Sequence, residues 1–302
     1  MTQPRFLEAG MTVMVTRRTL RRTQLLRPDA ELTRLYTYCL AVLAQRHRIA
    51  VHAVVLMSTH EHIVLTDPEG RLPLFLRELH RLVALGVKVL RKWEGAVWDH
   101  ERPSVVHLRT AESVIEKLAY VMANPIAAGL VRLAKDWPGL TTLPEQLGRG
   151  RLQAQRPEVY FDADSALWPE HATIELTLPP MLEMSAERVR QSVTRELHEL
   201  EVQARAELRA QHRGIRGADA VRDGSPYDRA KSFEPLRGRN PHFAVGRGQR
   251  EAFFDAVGAL RAFRRAYREA LERWRRGLRN TLFPHGTWLM RSVHGVATAT
   301  PT

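Results

Sequence analysis

The sequence has little cysteine and no long apolar run, and both absences narrow the class of protein. Its single cysteine, Cys39, excludes a disulfide framework and a cysteine metal cage, and it favours a reducing compartment. No window approaches the roughly 18 apolar residues that a membrane span needs. The first ten residues also lack the apolar core of a signal peptide. These absences predict a cytoplasmic protein that does not enter a membrane.

Acidic residues are scarce relative to basic ones, with 33 Asp and Glu against 46 Lys and Arg and a formal net charge of +13. Most of the basic residues are arginines, whose planar guanidinium grips phosphate with two hydrogen bonds. A nucleic-acid partner explains this balance, and liberal use of arginine by a GC-rich genome is the plain alternative. The candidate DNA-binding residues are four arginines in a stretch without acidic residues: Arg17, Arg18, Arg21 and Arg22.

Alternation and helical periodicity predict seven elements in the first half of the chain, in the order strand, helix, strand, strand, helix, strand, helix. The predicted strands cover 12–16, 49–57, 60–66 and 105–109, and the predicted helices cover 30–48, 72–93 and 111–123. This order predicts an α+β fold, a ferredoxin-like antiparallel sheet with helices on one face. The last helix, capped by Thr110 and ended by Asn124-Pro125, can lean back across the sheet.

Proline- and glycine-rich breaks predict a domain boundary near residue 145, with one domain at 1–145 and another at 146–302. The second domain is expected to be mostly helical and basic. It contains a mixed segment to residue 180, then a helix at 185–211, a loop at 214–248 and an arginine-rich helix at 249–280. That last helix either follows a DNA backbone with salt-dependent affinity or is a solvated surface helix.

Two histidines, His60 and His62, alternate with Glu61 in a predicted strand. Side chains two residues apart project to the same face, so both imidazoles can reach one metal ion. Two histidines are an incomplete metal site, and an ordinary polar strand face is the plain interpretation. Glu61 points into the helix layer, where an unpaired carboxylate is costly. We expect Glu61 to be partly open or paired with an arginine, with Glu61→Val leaving stability intact; otherwise it joins the metal site.

The helix predicted at 111–123 presents a second candidate site. Its apolar residues form one arc, and Glu116, Tyr120 and Asn124, spaced four apart, lie on the opposite side. An exposed tyrosine without a role is the plain interpretation. Beside a metal on the two histidines, however, a tyrosine hydroxyl can attack phosphorus and form a phosphotyrosine. Asn124 could then be a third ligand, and Glu116 could accept the phenolic proton.

The two candidate sites together resemble a known family. Residues 57–65 read Met-Ser-Thr-His-Glu-His-Ile-Val-Leu, and residues 120–131 read Tyr-Val-Met-Ala-Asn-Pro-Ile-Ala-Ala-Gly-Leu-Val. In this order the motifs resemble those of the single-tyrosine HUH transposases, most closely the REP-associated tyrosine transposases, over about residues 11–143. Two positions depart from the family pattern: Glu61 stands where an apolar residue is usual, and Ser58-Thr59 replaces a frequent Pro-Asn.

The resemblance implies a metal-dependent enzyme of DNA transposition, which cleaves and rejoins single-stranded DNA through a 5′-phosphotyrosine. It implies that Tyr120 is the nucleophile and that His60, His62 and Asn124 bind Mg²⁺ or Mn²⁺. It also implies single-stranded or hairpin DNA as partner and assembly as a homodimer. The alternative is a DNA-binding protein that kept the fold and lost the chemistry. An RNA-binding protein using the same sheet would leave Tyr120 unexplained.

Overall fold

The structure is a computed structural model that describes residues 4–231 and 241–300. Its central sheet contains β1 (Met11–Arg18), β2 (Ala50–Met57), β3 (His60–Asp67), β4 (Ser104–Leu108) and the short β7 (Phe243–Ala244), in the order β2-β3-β1-β4-β7. The first four strands are antiparallel to their neighbours, and β7 joins β4 in parallel. The predicted ferredoxin-like sheet, with the two histidines on an inner strand, is confirmed.

Seven helices connect and cover the strands in the described part of the chain. They are α1 (Ala30–His47), α2 (Leu72–Arg91), α3 (Ala111–Ala127), α4 (Ala186–Ala210), α5 (Ala218–Asp223), α6 (Arg250–Arg275) and α7 (Leu289–His294). Among the described residues, no helix combines the length and the apolar character that crossing a membrane requires.

The sheet has a hydrophobic core on each face because successive strand residues point in opposite directions. On β1, Val13 and Val15 join the core that α1 and α2 cover, whereas Met14 joins the core of α3 and α4. The predicted helices on one face of the sheet are therefore α1 and α2. The appended helix α3 leans across the other face.

Residues of the second half cover parts of both faces. A hairpin of β5 (Arg151–Gln155) and β6 (His171–Glu175), unforeseen in the mixed segment, packs on α1 with Leu152 and Ile174 in the first core. Helix α4 lies along α3 and adds its apolar side to the second core. The boundary near residue 145 stays a prediction, and residues 232–240 of the predicted 214–248 loop lie outside the described residues.

Glu61 occupies a different environment from the expected one. It is 0% exposed on the α1–α2 side of β3, and its carboxylate accepts hydrogen bonds from Tyr36 Oη at 2.7 Å and His80 Nε2 at 2.6 Å. Arg17 stands opposite on β1, but its guanidinium donates to the backbone carbonyls of Asp99 and Glu101. The expectation of a partly open or arginine-paired carboxylate is wrong, because one side chain from each helix satisfies it.

This network joins a strand, two helices and a loop around one carboxylate. Tyr36 comes from α1 and His80 from α2, and the backbone carbonyl of His80 accepts a hydrogen bond from the buried indole of Trp98 at 2.7 Å. Burial and the neighbouring carboxylate raise the pKa of Tyr36 well above its ordinary value, so the hydroxyl remains a donor. Glu61 therefore ties both helices to the strand that carries the histidines.

We predict that Glu61→Val destabilises the protein by about 3 kcal/mol, because Tyr36 and His80 would keep buried donors without an acceptor. Urea unfolding of both proteins at neutral pH measures this difference. Glu61→Gln is the matched control: it preserves volume and one acceptor and should lose less. A Glu61→Val variant as stable as the parent would contradict the assigned network.

A second buried polar group, His52, ties the second half to the sheet. Its Nδ1 donates to the Thr177 carbonyl at 2.9 Å, and its Nε2 lies 2.8 Å from the Thr66 hydroxyl, which is the donor. These bonds suit a neutral imidazole, and burial lowers the pKa of His52 to about 4. Beside it, the Thr177 amide donates to the Val51 carbonyl at the bulge in β2.

The pKa of His52 makes stability depend on pH. The unfolded imidazole, with a pKa near 6.5, takes up a proton before the folded one does, so this stability is complete above about pH 6.5 and lost progressively toward about pH 4. The parent should lose stability between about pH 7.5 and pH 5. We predict that this loss in the free energy of unfolding is about 2 kcal/mol smaller in His52→Gln, because the variant has no imidazole to protonate. Urea unfolding at both pH values tests this, with the exposed His171→Gln as control. An unchanged pH dependence in His52→Gln would refute it.

Candidate active site

Helix α3 brings the two predicted candidate sites, the histidine pair and Tyr120, together on the second face of the sheet. The imidazoles of His60 and His62 lie with ring centroids 4.9 Å apart and planes at 86°. The phenol of Tyr120, from α3, meets His62 edge to face with centroids 5.5 Å apart. Two residues of one strand and one residue of a helix about sixty positions later thus line a single site.

Threonines orient both imidazoles through their Nδ1 atoms. Thr16, directly opposite His62 on β1, has its hydroxyl 2.7 Å from His62 Nδ1, and the Thr59 hydroxyl lies 3.0 Å from His60 Nδ1. Burial, reinforced by the charges of His60 and Arg18, lowers the pKa of His62 well below its usual value. A buried, oriented and neutral imidazole has the lone pair that metal ligation requires.

Asn124 lies on the same side of α3 as Tyr120 and closes the site near His62. Its amide nitrogen donates to the Tyr120 carbonyl at 2.7 Å, and its side chain also hydrogen-bonds His62. Asn124 therefore links His62 to the backbone of α3. Within the described residues, no group of three His, Cys, Asp or Glu side chains is placed to hold a metal.

The phenol of Tyr120 is 36% exposed on a helix whose other side is buried in the second core. Lys117, one turn earlier, places its ammonium 5.0 Å from the centre of the tyrosine ring. A cation over the ring leaves the phenolic oxygen in a positive field, which favours an approaching phosphate. Lys117 is not among the residues predicted for the site, although its i,i+3 spacing from Tyr120 is a usable signal.

Helix α3 begins as predicted and ends later than predicted. Thr110 caps it, with its hydroxyl accepting from the Ser113 amide at 3.1 Å. The helix then continues through Pro125 to Ala127, so the predicted end at Asn124-Pro125 is wrong. The end comes at Gly129, with φ +73°, where the Leu130 amide bonds the Pro125 carbonyl in a Schellman turn. Proline in this last turn costs the helix one hydrogen bond and does not stop it.

The predicted proton acceptor, Glu116, has another partner. Its carboxylate accepts from the Arg247 amide at 2.8 Å and from Arg247 Nε at 3.2 Å, while the same guanidinium also pairs with Glu196 of α4. Arg247 thus links α3 to α4 through ion pairs with Glu116 and Glu196. A role for Glu116 as proton acceptor for Tyr120 stays a prediction.

The four candidate DNA-binding arginines are spread over different surroundings. Arg17 is half-buried and held by the backbone of residues 99–101, whereas Arg18 contributes to the electrostatics of His62. Arg21 and Arg22 lie in the turn after β1, both with positive φ, and Arg22 lines a groove beside His60. Arg18 and Arg22 thus lie near the site, whereas Arg17 is engaged in the fold.

Comparison with known proteins gives few matches: no protein-family model matches the chain, and no curated protein matches it. Among solved structures, a REP-associated tyrosine transposase bound to a REP hairpin is similar at 20% identity and a TM-score of 0.42, over 56% of this chain and 97% of that one. A candidate transposase from Deinococcus radiodurans R1 is similar at 19% identity and a TM-score of 0.28, over 35% and 85% of the two chains. Similarity of this degree leaves the function to be argued from the site itself.

We predict that Gly129→Ala destabilises the protein by about 1–2 kcal/mol, because alanine is strained at φ +73° and its methyl group would lie 3.1 Å from Leu208. The strain falls on the turn that ends α3, the helix that carries Tyr120. Thermal or urea unfolding measures the loss. Gly214→Ala is the matched control, since a methyl group there meets nothing within 4 Å. Equal stability of the two variants would contradict the role given to Gly129.

Proposed function

We propose that this chain is a transposase-type enzyme that cleaves and rejoins single-stranded DNA through Tyr120. The observation that carries the proposal is the edge-to-face contact of an exposed phenol with a neutral, oriented imidazole, at a ring-centroid distance of 5.5 Å. Such a phenol has little structural purpose, because its helix is already anchored by the opposite side. Hairpin-bearing single strands are the proposed substrates, and a homodimer stays a prediction.

The donor set of the site fits a divalent cation. His60, His62 and the Asn124 amide oxygen would hold it, with two nitrogens and one oxygen from the protein and water completing the shell. Magnesium prefers oxygen ligands throughout, so this mixed set suits Mn²⁺ better than Mg²⁺. When bound, the cation would polarise a phosphate oxygen and offset negative charge at phosphorus.

The chain's own residues would hold the phosphate and supply the nucleophile. The Tyr120 oxygen attacks phosphorus, the new O–P bond forms, and the bond to the 3′ oxygen breaks, which leaves a 5′-phosphotyrosine and, after protonation, a 3′ hydroxyl. The phenolic proton passes to solvent or to a nearby base. Lys117 and Arg18 provide positive charge where the phosphate would lie. Attack by another 3′ hydroxyl on the phosphotyrosine reverses the step and rejoins DNA.

A DNA-binding protein without chemistry is the second candidate, and the engagement of Glu116 by Arg247 favours it, since the proposed proton acceptor is already ion-paired. The two candidates share a DNA partner and differ in one observable. Only the enzyme forms a covalent bond with DNA.

We predict that Tyr120→Phe abolishes a denaturation-resistant protein–DNA adduct, because it removes the oxygen that would form the bond. Since only one partly exposed atom is lost, the stability of the protein should be nearly unchanged and its DNA affinity should stay within about twofold of the parent's. The assay incubates the protein and Mn²⁺ with a pool of labelled single strands that each carry a hairpin, followed by a denaturing gel. Tyr160→Phe is the matched control, since Tyr160 is 41% exposed and lies outside the site.

Two results would count against this proposal. An adduct that persists in Tyr120→Phe places the nucleophile elsewhere. A parent protein that forms no adduct with any strand of the pool, with or without Mn²⁺, supports the DNA-binding protein without chemistry.

A further inference from the structure

A basic groove opens directly beside His60, and residues of both halves of the chain line it. The groove is open to solvent and has a volume of about 760 Å³. Among the described residues, five cationic side chains line it together with one acidic residue, Asp228. The cationic residues are Arg22, Arg213, Arg216, Arg229 and Lys231.

The wall contributed by residues 224–231 is fixed to the first half by backbone hydrogen bonds. The Gln24 amide donates to the Asp228 carbonyl at 2.8 Å, and the Ala230 amide donates to the Arg22 carbonyl at 3.0 Å. Nearby, the Tyr227 hydroxyl donates to the Arg91 carbonyl at 2.8 Å. Arg229 and Lys231 are therefore held beside the turn that carries Arg22.

The cations of the groove differ in how far the fold uses them. Arg213 donates to the Ala128 carbonyl at 3.3 Å, next to the end of α3, so part of its role is structural. Arg216, Arg229 and Lys231 are exposed, and within the described residues none of the three is in an ion pair. Keeping several exposed cations side by side is electrostatically unfavourable without a counter-charge, and a polyanion supplies one.

We propose that this groove binds the sugar–phosphate backbone of the single strand that flanks the phosphate at Tyr120. The inference rests on the proposed function for the identity of the strand as DNA. It also goes beyond that function, because it assigns a substrate-binding surface to residues 213–231. His60, Arg229 and Lys231 line the same groove, so a strand leaving the site would lie along these two cations.

The test is equilibrium binding of a fluorescent single-stranded DNA 20-mer to the full chain, in EDTA and over a range of salt concentrations. The variant Arg229→Gln/Lys231→Gln should bind roughly tenfold more weakly at about 0.1 M salt, with a salt slope smaller by about 1.4, because each phosphate contact on a single strand contributes about 0.7. The matched control is Arg188→Gln/Arg195→Gln, which removes the same charge from exposed positions on α4 and should bind like the parent.

Each outcome separates this inference from the proposed function. If the groove variant binds DNA with the parent's affinity and slope, or if only the α4 variant weakens binding, the groove inference is wrong. Tighter binding of an RNA strand of the same sequence overturns the assignment to DNA. If binding depends on the groove but no adduct ever forms, the groove inference is supported and the proposed chemistry alone fails.

Discussion

The carboxylate of Glu61 is sealed from water and must find its hydrogen-bond donors inside the protein. Tyr36 of α1 and His80 of α2 provide them, so the desolvation of one charge is offset only when both helices sit correctly on β3. The penalty for misplacing either helix is the cost of an unsatisfied buried charge. This interaction therefore couples the position of the helix layer to the strand that carries the histidines.

Strand β3 presents side chains to both faces of the sheet, so it connects the buried network around Glu61 to the candidate active site. Alternation turns Glu61 toward α1 and α2 and turns its neighbours, His60 and His62, toward α3. Because Glu61 is hydrogen-bonded on the α1–α2 face, β3 cannot rotate or shift its register without breaking that network. The imidazoles on the opposite face therefore keep a fixed orientation. A residue that looked like a departure from the family motif thus acts as a support for the site.

The strands and helices of the first half could be predicted because each has a clear periodicity, and the histidine and tyrosine motifs could be identified because each lies within one element. Contacts that depend on distant residues could not be predicted. The pairing of Thr16 with His62 depends on strand register, and the donors to Glu61 come from two separate helices. The groove wall depends on the docking of residues 224–231, for which local sequence carries no signal. The continuation of α3 through Pro125 reflects tertiary packing that outweighs a local helix breaker.

The central claim is that Tyr120 becomes covalently bound to DNA, and peptide mapping of the isolated adduct tests it most directly. Trypsin should release Leu118–Arg132, in which Tyr120 is the sole tyrosine. After nuclease digestion and mass spectrometry, we expect this peptide to carry the mass of a phosphate or short nucleotide on the tyrosine. A nucleotide found on any other peptide would contradict the account.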